Sequence, residues 1–588
     1  MVLVQEIREN VKNAFADACV VAFSQKIKTS DIKLEYPPDI SSGDFNVGCF
    51  VLAQKIKKNP DAIATEISSK IQKNNLWDKV EAIGPYVNFK IKPAILFKAI
   101  CESPDQLSDL GVPVAERIVI EYLSPNTNKP LHLGHVRNGI LGMAIANLLE
   151  AIGHKAVKTN LINDRGVHIC KSMVAYKKWG ENETPETAKI KGDHFIGDYY
   201  VLYEKNKNED SSIEEEAHNC LRKWERNDKE IVDLWKKMNN WVYAGFEETY
   251  KNYGFEFDKI YYESNTYKIG KEIVEQGIAQ GVLKKLKSGA VVLRLPKELF
   301  GEDEKGKQKI MTLIRKDGTS VYMTQDLGTI ITEFVENNVS RSIYVVGSEQ
   351  KYHFKVLFFL LKLLGYAWAD KCQHLAYGMV YLPEGKMKSR EGKVVDADDL
   401  LQKMIDLAEK EILGRKETGS NKKEIMDNAR KIALAAIKFF LLRLDPEKDI
   451  HFDPKESLAF EGMTGPYCQY AYARIQSIFF KEKAIKLMEQ DTPNFSLLET
   501  EEDRLLAREI IQLSDAVKKA ADNLNPSFLC RSVYELAKMI HQYYQKNRII
   551  NANISVNLAA ARLELLKAAS ISLKKGLDFL GIETIEKM

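Results

Sequence analysis

Residues 117–162 read RIVIEYLSPNTNKPLHLGHVRNGILGMAIANLLEAIGHKAVKTNLI, which we interpret as a strand, a helix and a second strand. Residues 117–123 are rich in β-branched and aromatic side chains, a composition typical of a strand. Over residues 135–152 the apolar side chains recur at helical spacing, and residues 155–162 again favour a strand. A strand–helix–strand unit of this length implies a parallel sheet with a right-handed crossover.

On both sides of this unit the pattern predicts further domains. Residues 1–112 read as a small α+β unit, whose last strand is residues 86–91. Residues 166–300 are long, mostly helical and highly charged, which predicts an insertion that interrupts the sheet. The α/β alternation then resumes, with strands predicted over residues 342–346 and 375–382 and a helix over residues 353–364. From residue 397 onward the pattern is almost entirely helical. The sequence therefore predicts an α/β parallel-sheet domain split by an insertion, a small α+β N-terminal domain and an all-α C-terminal third.

The composition excludes several classes of protein. The 588 residues are 45% hydrophobic and 28% charged, with a net charge of +3, which excludes collagen-like and wholly disordered chains. The eight cysteines are scattered without a CxxC pair, so we predict no structural zinc. No apolar stretch approaches the ~20 residues needed to cross a bilayer, and the N-terminus does not resemble a signal peptide. We therefore expect a cytoplasmic protein without a membrane partner.

The tetrad His132-Leu133-Gly134-His135 lies between the first strand and the helix. The first turn of a helix offers unpaired N–H groups and partial positive charge, so an anion such as a phosphate binds well there. Imidazoles can donate to phosphate oxygens, and Gly134 lets a planar base approach the backbone. The alternative is that both histidines only cap the helix.

A second motif, GKMKSREG over residues 385–392, follows a predicted strand and concentrates basic side chains between two glycines. Positive charge on a hinged loop can close over a polyphosphate and stabilise the charge of a leaving pyrophosphate. Taken alone, such a basic turn is usually solvated surface.

The two motifs together resemble the HIGH and KMSKS signatures of class I aminoacyl-tRNA synthetases, and finer detail is similar to the arginyl-tRNA synthetases. The similar stretches cover nearly the whole chain and are residues 121–138, 163–166, 317–327, 465–475 and 581–588. The resemblance implies a Rossmann-like catalytic domain that uses Mg²⁺–ATP and needs no metal site of its own.

The resemblance also implies roles for the residues of both motifs. His132, His135, Lys129 and Lys386 would be the catalytic groups. The ATP-binding residues would be Leu133, Gly134, Lys386, Met387, Lys388 and Ser389. Ser389 departs from the pattern because it stands where KMSKS has its second lysine, and Lys129 is expected to substitute for that lysine.

For the amino acid, the resemblance assigns Glu121, Asn126, Tyr322, Asp326 and Gln350 to an arginine pocket. A guanidinium offers five donors in a rigid plane, so the carboxylates of Glu121 and Asp326 suit it. Asn126 and Gln350 can pair with the α-amino and α-carboxylate groups, and Tyr322 can line the aliphatic stem. The alternative is that Glu121 belongs to a structural salt bridge and Asp326 to a helix cap.

The remaining domains would bind tRNA. The resemblance implies an N-terminal domain over residues 1–112 that contacts the tRNA elbow and a catalytic domain over residues 113–400 with its insertion at about 166–300. A helical connection over residues 401–455 would contact the stem, and the helical domain over residues 456–588 would read the anticodon. Candidate tRNA contacts are Tyr467, Tyr470, Arg474, Tyr544 and Arg548, because aromatic planes beside cations suit unpaired bases. Aromatic residues at helical spacing are, however, more often part of the hydrophobic core than of a surface on which bases stack.

The reaction that the resemblance implies is ATP-dependent ligation of L-arginine to tRNA(Arg) through an arginyl-adenylate, by an enzyme expected to be a monomer. A class I synthetase of other specificity and a small nucleotidyltransferase share the first motif, although the latter lacks a helical C-terminal third. A non-catalytic tRNA-binding or regulatory paralogue is a further alternative, but such proteins typically lose one signature and this chain has both.

Overall fold

The computed structural model describes residues 4–102, 114–208, 212–382, 385–386, 395–414, 421–481, 484, 486–487, 493–551 and 553–588. The chain divides into two compact units. Unit 1 comprises Met1–Leu110, Ala459–Ala520 and Phe528–Met588, and unit 2 comprises Gly111–Leu458 and Ala521–Ser527.

Unit 1 combines the two ends of the chain. Its N-terminal part has an antiparallel sheet of order β1-β2-β4-β3, and its C-terminal part is helical. The Arg504 guanidinium binds both carboxylate oxygens of Asp44 at 2.8 Å and also donates to the Ile91 carbonyl, so a buried ion pair joins the sheet to a C-terminal helix. The elements are α1 (Val4–Phe23), β1 (Leu34–Glu35), β2 (Phe45–Gly48), α2 (Phe50–Ile56), α3 (Pro60–Lys70), β3 (Trp77–Ile83), β4 (Tyr86–Ile91), α4 (Pro93–Glu102), α18 (Gly465–Phe479), α19 (Glu501–Asp522), α20 (Ser527–Lys546) and α21 (Val556–Phe579).

Unit 2 holds the α/β domain and the helices that follow it. Its strands are β5 (Arg117–Glu121), β6 (Lys155–Ile162), β7 (Lys259–Tyr262), β8 (Lys284–Lys285), β9 (Val291–Arg294), β10 (Ile310–Ile314), β11 (Arg341–Gly347), β12 (Cys372–Tyr377), β13 (Val380–Leu382), β14 (Gly385–Lys386) and β15 (Ile450–His451). Its helices are α5 (Leu133–Ala151), α6 (Val167–Trp179), α7 (Pro185–Ala188), α8 (Gly192–Asn206), α9 (Ser212–Glu225), α10 (Lys229–Tyr253), α11 (Glu263–Ala279), α12 (Lys297–Phe300), α13 (Tyr322–Asn337), α14 (Lys351–Leu363), α15 (Ala397–Gly414), α16 (Lys422–Leu442) and α17 (Pro454–Ser457).

The central sheet of unit 2 has five strands, in the order β12-β11-β5-β6-β7, and every pairing in it is parallel. The chain runs outward in one direction through β5, β6 and β7 and in the other through β11 and β12. The strand order therefore reverses between β5 and β11. In open α/β sheets, ligands bind at the carboxyl ends of the strands beside such a reversal.

The predicted fold class is confirmed, but the interruption of the sheet differs from the prediction. Helices α6 to α10 separate β6 from β7, and the small antiparallel sheet β10-β9-β8 lies between α11 and α13. Strand β7 falls inside the predicted insertion of residues 166–300, although it is the edge strand of the main sheet. It is only four residues long and begins with a lysine, so it shows neither a long apolar run nor a clear alternation.

Two glycines bring α11 and α13 unusually close. A Cβ at Gly270 would lie 1.9 Å from the carbonyl oxygen of Thr324, and a Cβ at Gly328 would lie 2.2 Å from that of Thr266. Only glycine permits such a crossing. The close packing brings the first residue of α11 near the N-terminal half of α13, at the carboxyl edge of the sheet.

Strands β4 and β6 have the predicted bounds. The strand predicted over residues 375–382 is instead two strands, β12 and β13, which are separated at Gly378. A Cβ there would lie 2.6 Å from the Lys448 carbonyl group, so the chain turns where another segment touches its backbone. Every described helix is too short or too polar to pass through a lipid bilayer.

Candidate active site

The backbone that leaves β5 takes an unusual conformation. Leu123 and Ser124 have φ angles of 79° and 43°, in the left-handed region that side-chain-bearing residues rarely adopt. The Leu123 N–H donates to Asn138 Oδ1 at 2.6 Å, and the Ser124 N–H donates to Asn160 Oδ1 at 3.1 Å. Helix α5 and strand β6 thus hold a strained turn at the carboxyl edge of the sheet, which is typical of a functional site.

The two histidines of the HxGH tetrad lie at the start of α5. His132 is the N-cap, and its Nδ1 accepts the Gly134 N–H at 3.1 Å, while Nδ1 of His135 accepts the His132 N–H at 3.1 Å. Their ring centroids are 3.8 Å apart. Because each Nδ1 accepts a hydrogen bond, each neutral ring carries its proton on Nε2, which is left as a donor.

The imidazoles are held neutral. Burial lowers the pKa of His132 to about 3, and the charge of Lys129 acts in the same direction. Burial lowers the pKa of His135 well below its ordinary value, assisted by His132 and then Lys129. Burial also lowers the pKa of Lys129 itself. Three nitrogen donors therefore gather at a helix N-terminus, which suits an anion.

The segment that follows the basic motif reaches the same place. The Leu133 N–H donates to the Val395 carbonyl at 3.0 Å, and the Ala397 N–H donates to the Leu131 carbonyl at 3.0 Å. His132 and Asp396 form an antiparallel bridge between these two bonds. Residues 395–397, which follow the basic motif in the sequence, therefore lie directly beside the first histidine.

The entry to the basic motif is fixed by Arg137, which lies on α5 two residues after His135 and is fully buried. Its guanidinium donates to four backbone carbonyls, those of Gly378, Met379, Pro446 and Lys448, at 2.5, 3.0, 2.9 and 2.7 Å. These carbonyls belong to the segments that lead into β13 and β15, the two strands that pair beside β14. One side chain thus joins the helix of the histidines to the base of the hairpin that carries Lys386.

Acidic side chains gather on the other side of the carboxyl edge. Glu121 is buried at the end of β5, where its Oε1 accepts the Ser124 hydroxyl at 3.2 Å. Asp326 Oδ2 lies 2.5 Å from His353 Nε2. Burial lowers the pKa of His353, but the hydrogen bond and charge of Asp326 outweigh it, so the pKa is raised.

Glu263, the first residue of α11, is 1% exposed, and neither of its carboxylate oxygens has a hydrogen-bond partner. Burial raises its pKa well above the ordinary value; the charge of Arg165 opposes this, whereas Asp164 and Asp326 add to it. Asp326 also raises the pKa of Glu121, so its charge reaches both glutamates. Among the described residues, no Lys or Arg side chain is hydrogen-bonded to Glu121 or Glu263, and these buried acids are left without a paired cation.

Family models match three consecutive parts of the chain. The model described as tRNA synthetases class I (R), catalytic domain, matches residues 103–453. The Arginyl tRNA synthetase N terminal domain matches residues 5–91, and the DALR anticodon binding domain matches residues 468–588. The chain belongs to the arginyl-tRNA synthetase family.

Relatives agree over the full length of the chain. Arginine–tRNA ligase of Borreliella afzelii is 42% identical and covers 100% of both chains, and that of Porphyromonas gingivalis is 39% identical over 99% of this chain and 100% of its own. The arginyl-tRNA synthetase structure from Thermus thermophilus has a TM-score of 0.77 at 24% identity, over 99% of this chain and 100% of that one. The Plasmodium falciparum structure has a TM-score of 0.75 at 19% identity, over 99% of each chain.

Within this family member, the structure brings part of the predicted ATP site together. Lys129, His132, Leu133, Gly134 and His135 lie on one turn and the start of one helix. The backbone of Lys386 lies in β14, opposite Tyr381. The side chain of Lys386 and all of Met387, Lys388 and Ser389 lie outside the described residues.

The residues predicted to bind arginine come from several segments at the carboxyl edge of the sheet. Glu121 ends β5, Asn126 bridges to Asn163 after β6, and Tyr322 and Asp326 lie one turn apart on α13. Gln350 ends a short 3₁₀ helix after β11 and is exposed. Of the alternatives from the sequence, His132 does cap its helix while keeping Nε2 available. Glu121 forms no salt bridge with any residue that the structure describes, and Asp326 is in the second turn of α13 rather than at its cap.

In the C-terminal helices of unit 1, four of the five predicted tRNA contacts form one cluster. The Arg474 guanidinium lies 5.7 Å from the Tyr470 ring centroid and 4.7 Å from that of Tyr544. Buried His541 lies 4.9 Å from the Tyr467 ring and accepts from Arg474 at 3.2 Å. Arg548 is exposed, and its backbone carbonyl accepts a hydrogen bond from Arg562 at 2.9 Å.

Several residues of the site were missed from the sequence. Glu263, His353 and Arg137 lie in ordinary helical patterns, in which a single polar residue shows no periodicity. Asp164 and Arg165 fall in a stretch that resembles the family, but their contacts were not foreseen. Asp164 accepts the Ser264 N–H at 2.8 Å and its hydroxyl at 2.7 Å, which fixes the start of α11. Arg165 donates to Glu225 at 2.7 Å and to Ser320 at 3.1 Å, just before α13.

Arg137→Met tests the connection between the two motifs. The variant keeps most of the side-chain volume but leaves four carbonyls without their donor, so the base of the β13–β14 hairpin should shift. A displacement of about 1 Å can lower the rate of a positioned reaction by roughly 10²-fold. We expect kcat for arginine-dependent ATP–pyrophosphate exchange to fall by about 10–100-fold, with KM for arginine changed by less than about threefold.

The matched control is Arg341→Met, because Arg341 is a half-buried arginine of β11 whose side chain is hydrogen-bonded to Gln373. Circular dichroism and thermal melting should show that both variants fold. A kcat for Arg137→Met equal to that of Arg341→Met would show that the clamp does not position the hairpin.

Proposed function

We propose that this chain activates L-arginine with Mg²⁺–ATP at the carboxyl edge of its parallel sheet and transfers the arginyl group to tRNA(Arg). By family membership, the chain has arginine–tRNA ligase activity. The observation that best supports this proposal is that the carboxyl edge of the sheet has two chemically different sides. Nitrogen donors lie on one side of the β5 turn, and buried carboxylates without a paired Lys or Arg lie on the other, among the residues that the structure describes.

On the nucleotide side, the arginine carboxylate would attack the α-phosphate in line, with pyrophosphate as leaving group. Neutral His132 and His135 would donate from Nε2 to phosphate oxygens, and Lys129 would add positive charge. Lys386 and its neighbours in the basic motif would approach the same phosphates, since the segment leaves that motif at His132. Little acid–base chemistry is required, because positioning and electrostatic stabilisation supply most of the rate.

On the amino-acid side, Glu121, Glu263 and Asp326 would accept the five guanidinium donors. Each carboxylate is buried or half-buried, so folding has already removed much of its hydration. An incoming cation therefore binds it with little further loss of hydration on the protein side. Arginine binding would also provide Asp326 with a stronger partner than His353. A site built on such hydrogen bonds rejects analogues that lack them by ~10⁴–10⁵, and therefore needs no hydrolytic editing domain.

The described residues contain one group that resembles a metal site, Asp193, His194 and Asp398. The Lys191 ammonium lies 2.6 Å from Asp398 Oδ2 and 3.4 Å from Asp193 Oδ2, so a cation already occupies the position between the carboxylates. We do not assign Mg²⁺ to this cluster. The Mg²⁺ of the reaction enters as part of the substrate, bound to the ATP phosphates.

For tRNA, we assign base stacking to the cluster of Tyr467, Tyr470, Arg474 and Tyr544. Two of its aromatic planes lie beside the Arg474 guanidinium, an arrangement that binds unpaired bases through stacking and cation–π contact. Neighbouring Tyr543 is instead a core residue, since it is buried and donates to Asp503 at 2.7 Å. Residues 1–112 would contact the tRNA elbow.

The most informative experiment is ATP–pyrophosphate exchange with each of the twenty amino acids, with and without tRNA(Arg). We expect exchange with arginine alone among the amino acids. Exchange driven by another amino acid would indicate a synthetase of other specificity. Exchange that needs no amino acid would indicate a nucleotidyltransferase, and no exchange under any condition would indicate a non-catalytic paralogue.

His135→Ala tests the proposed phosphate donor. Loss of one preorganised donor to developing charge typically lowers the rate by 10²–10³-fold. We expect kcat for exchange to fall by about that factor, with nearly unchanged arginine affinity in equilibrium dialysis. The control is His154→Ala, because His154 follows the opposite end of α5 and its Nδ1 also accepts a backbone N–H, that of Glu116 at 3.0 Å. If both variants retained the original rate, His135 would be a structural cap only.

A further inference from the structure

A row of three residues crosses the central sheet at the carboxyl end of β5. Tyr344 of β11 is in register with Glu121 of β5, which is in register with Thr159 of β6. Registered residues of parallel neighbouring strands direct their side chains to the same face. Glu121 is therefore flanked by two hydroxyl groups, one from each adjacent strand.

Glu333 of α13 lies across this row, on the face of the sheet to which the three side chains point. Its Oε1 accepts the Thr159 hydroxyl at 2.7 Å and its Oε2 accepts the Tyr344 hydroxyl at 3.2 Å. Since its two oxygens bond the residues on either side of Glu121, the Glu333 carboxyl must lie over the Glu121 side chain. Glu333 is fully buried, and none of the roles described above uses it.

Two buried carboxyls this close cannot both be ionised without a nearby cation. Burial raises the pKa of Glu333 to about 7, although its two hydroxyl donors and the charge of Lys259 act in the opposite direction. Burial raises the pKa of Glu121 well above its ordinary value, and the charges of Glu333 and then Asp326 add to this. Near neutral pH the empty site therefore holds a proton on this pair.

Other titratable groups face the pair from every neighbouring strand and helix. Lys259 of β7 is hydrogen-bonded to the exposed carboxylate of Glu336, and His353 of α14 reaches the pair only through Asp326. The groups whose charge acts on Glu121 or Glu333, or responds to them, are Asp326, Lys259, Tyr261, Tyr344 and Cys372. Of these, Lys259 is the single cation, and it lies on the edge strand β7 in register with Thr159, two strands away from Glu121.

We propose that Glu333 is a positioning residue for arginine, which carries a proton beside Glu121 in the empty site and releases it to solvent when the guanidinium binds. The proposal rests on the arginine pocket proposed above. Its consequence is that arginine binds more tightly as the pH rises, because the guanidinium favours the ionised pair and a proton competes with it.

The test is calorimetric titration of the full-length protein with L-arginine between pH 6 and pH 8. A single group with a pKa near 7 in the empty site and much lower in the complex lowers Kd about tenfold over this range. Titration at pH 7 in phosphate and in Tris, which differ in ionisation enthalpy, should show proton release on arginine binding, to which Glu333 contributes about half a proton.

Glu333→Gln keeps the shape and one hydrogen-bond acceptor but cannot take up or release a proton. We expect its Kd for arginine to depend on pH up to about tenfold less between pH 6 and pH 8 than that of the unmodified protein, and its proton release at pH 7 to be smaller by about half a proton, because only the titration of Glu121 and Glu263 remains in the pocket. Tyr344→Phe removes a donor that favours the ionised form of Glu333, so the midpoint of the pH dependence should move upward. The control Glu275→Gln removes an exposed charge from α11, the helix packed on α13, and should retain the pH dependence of the unmodified protein.

A Glu333→Gln variant that folds and keeps the original pH dependence and proton release would overturn the proposal and assign them to the other titratable groups of the pocket, Glu121, Glu263 and the Asp326–His353 pair. A pH-independent Kd in the unmodified protein would overturn it as well. Both outcomes leave arginine binding intact. Absence of arginine binding at every pH is a distinct result, which would overturn the proposed arginine site together with this proposal.

Discussion

The site is governed by an excess of buried carboxyl groups, which become a negative charge without a paired cation when they ionise, at the carboxyl edge of the parallel sheet. Glu121, Glu263 and Asp326 converge there, and in the described part of the chain their one directly bonded cationic partner is His353. An unpaired ion in a protein interior is unfavourable by several kcal/mol. Burial therefore raises the pKa of Glu121 and Glu263, while close packing of α11 on α13 and the reversal of strand order between β5 and β11 fix the positions of these acids at that edge.

A short distance further along the chain, the same edge presents groups that favour an anion instead of a cation. Helix α5 begins with two neutral imidazoles whose Nδ1 atoms are occupied by backbone N–H groups, so the Nε2 atoms face outward as donors. Arg137 and the bonds of Leu131 and Leu133 hold both ends of the basic motif to this helix. A cationic amino acid and an anionic nucleotide can thus be bound side by side, with the strained turn at Leu123 between them.

The sequence predicted those parts of the molecule in which local patterns carry information. Strand β6 and helix α5 were predicted because apolar side chains recur at strand or helix spacing. The HxGH tetrad was recognised because the residues that carry its chemistry are neighbours in the sequence. Strand β7 was missed because four residues are too few for a pattern. Glu263 and Glu333 were missed because each resembles an ordinary solvent-facing glutamate on a helix. Only the packing of distant segments reveals that both are buried, and that Asp326 meets a histidine 27 residues away.

The most direct test of the charge excess compares the melting temperature of the protein with L-arginine and with L-citrulline, which has nearly the same shape but a neutral ureido group. A ligand at 100 times its Kd stabilises the folded state by about 2.7 kcal/mol. The account predicts that arginine raises the melting temperature and that citrulline at the same concentration leaves it unchanged. Equal stabilisation by the two ligands would show that the buried carboxylates are not what binds the side chain.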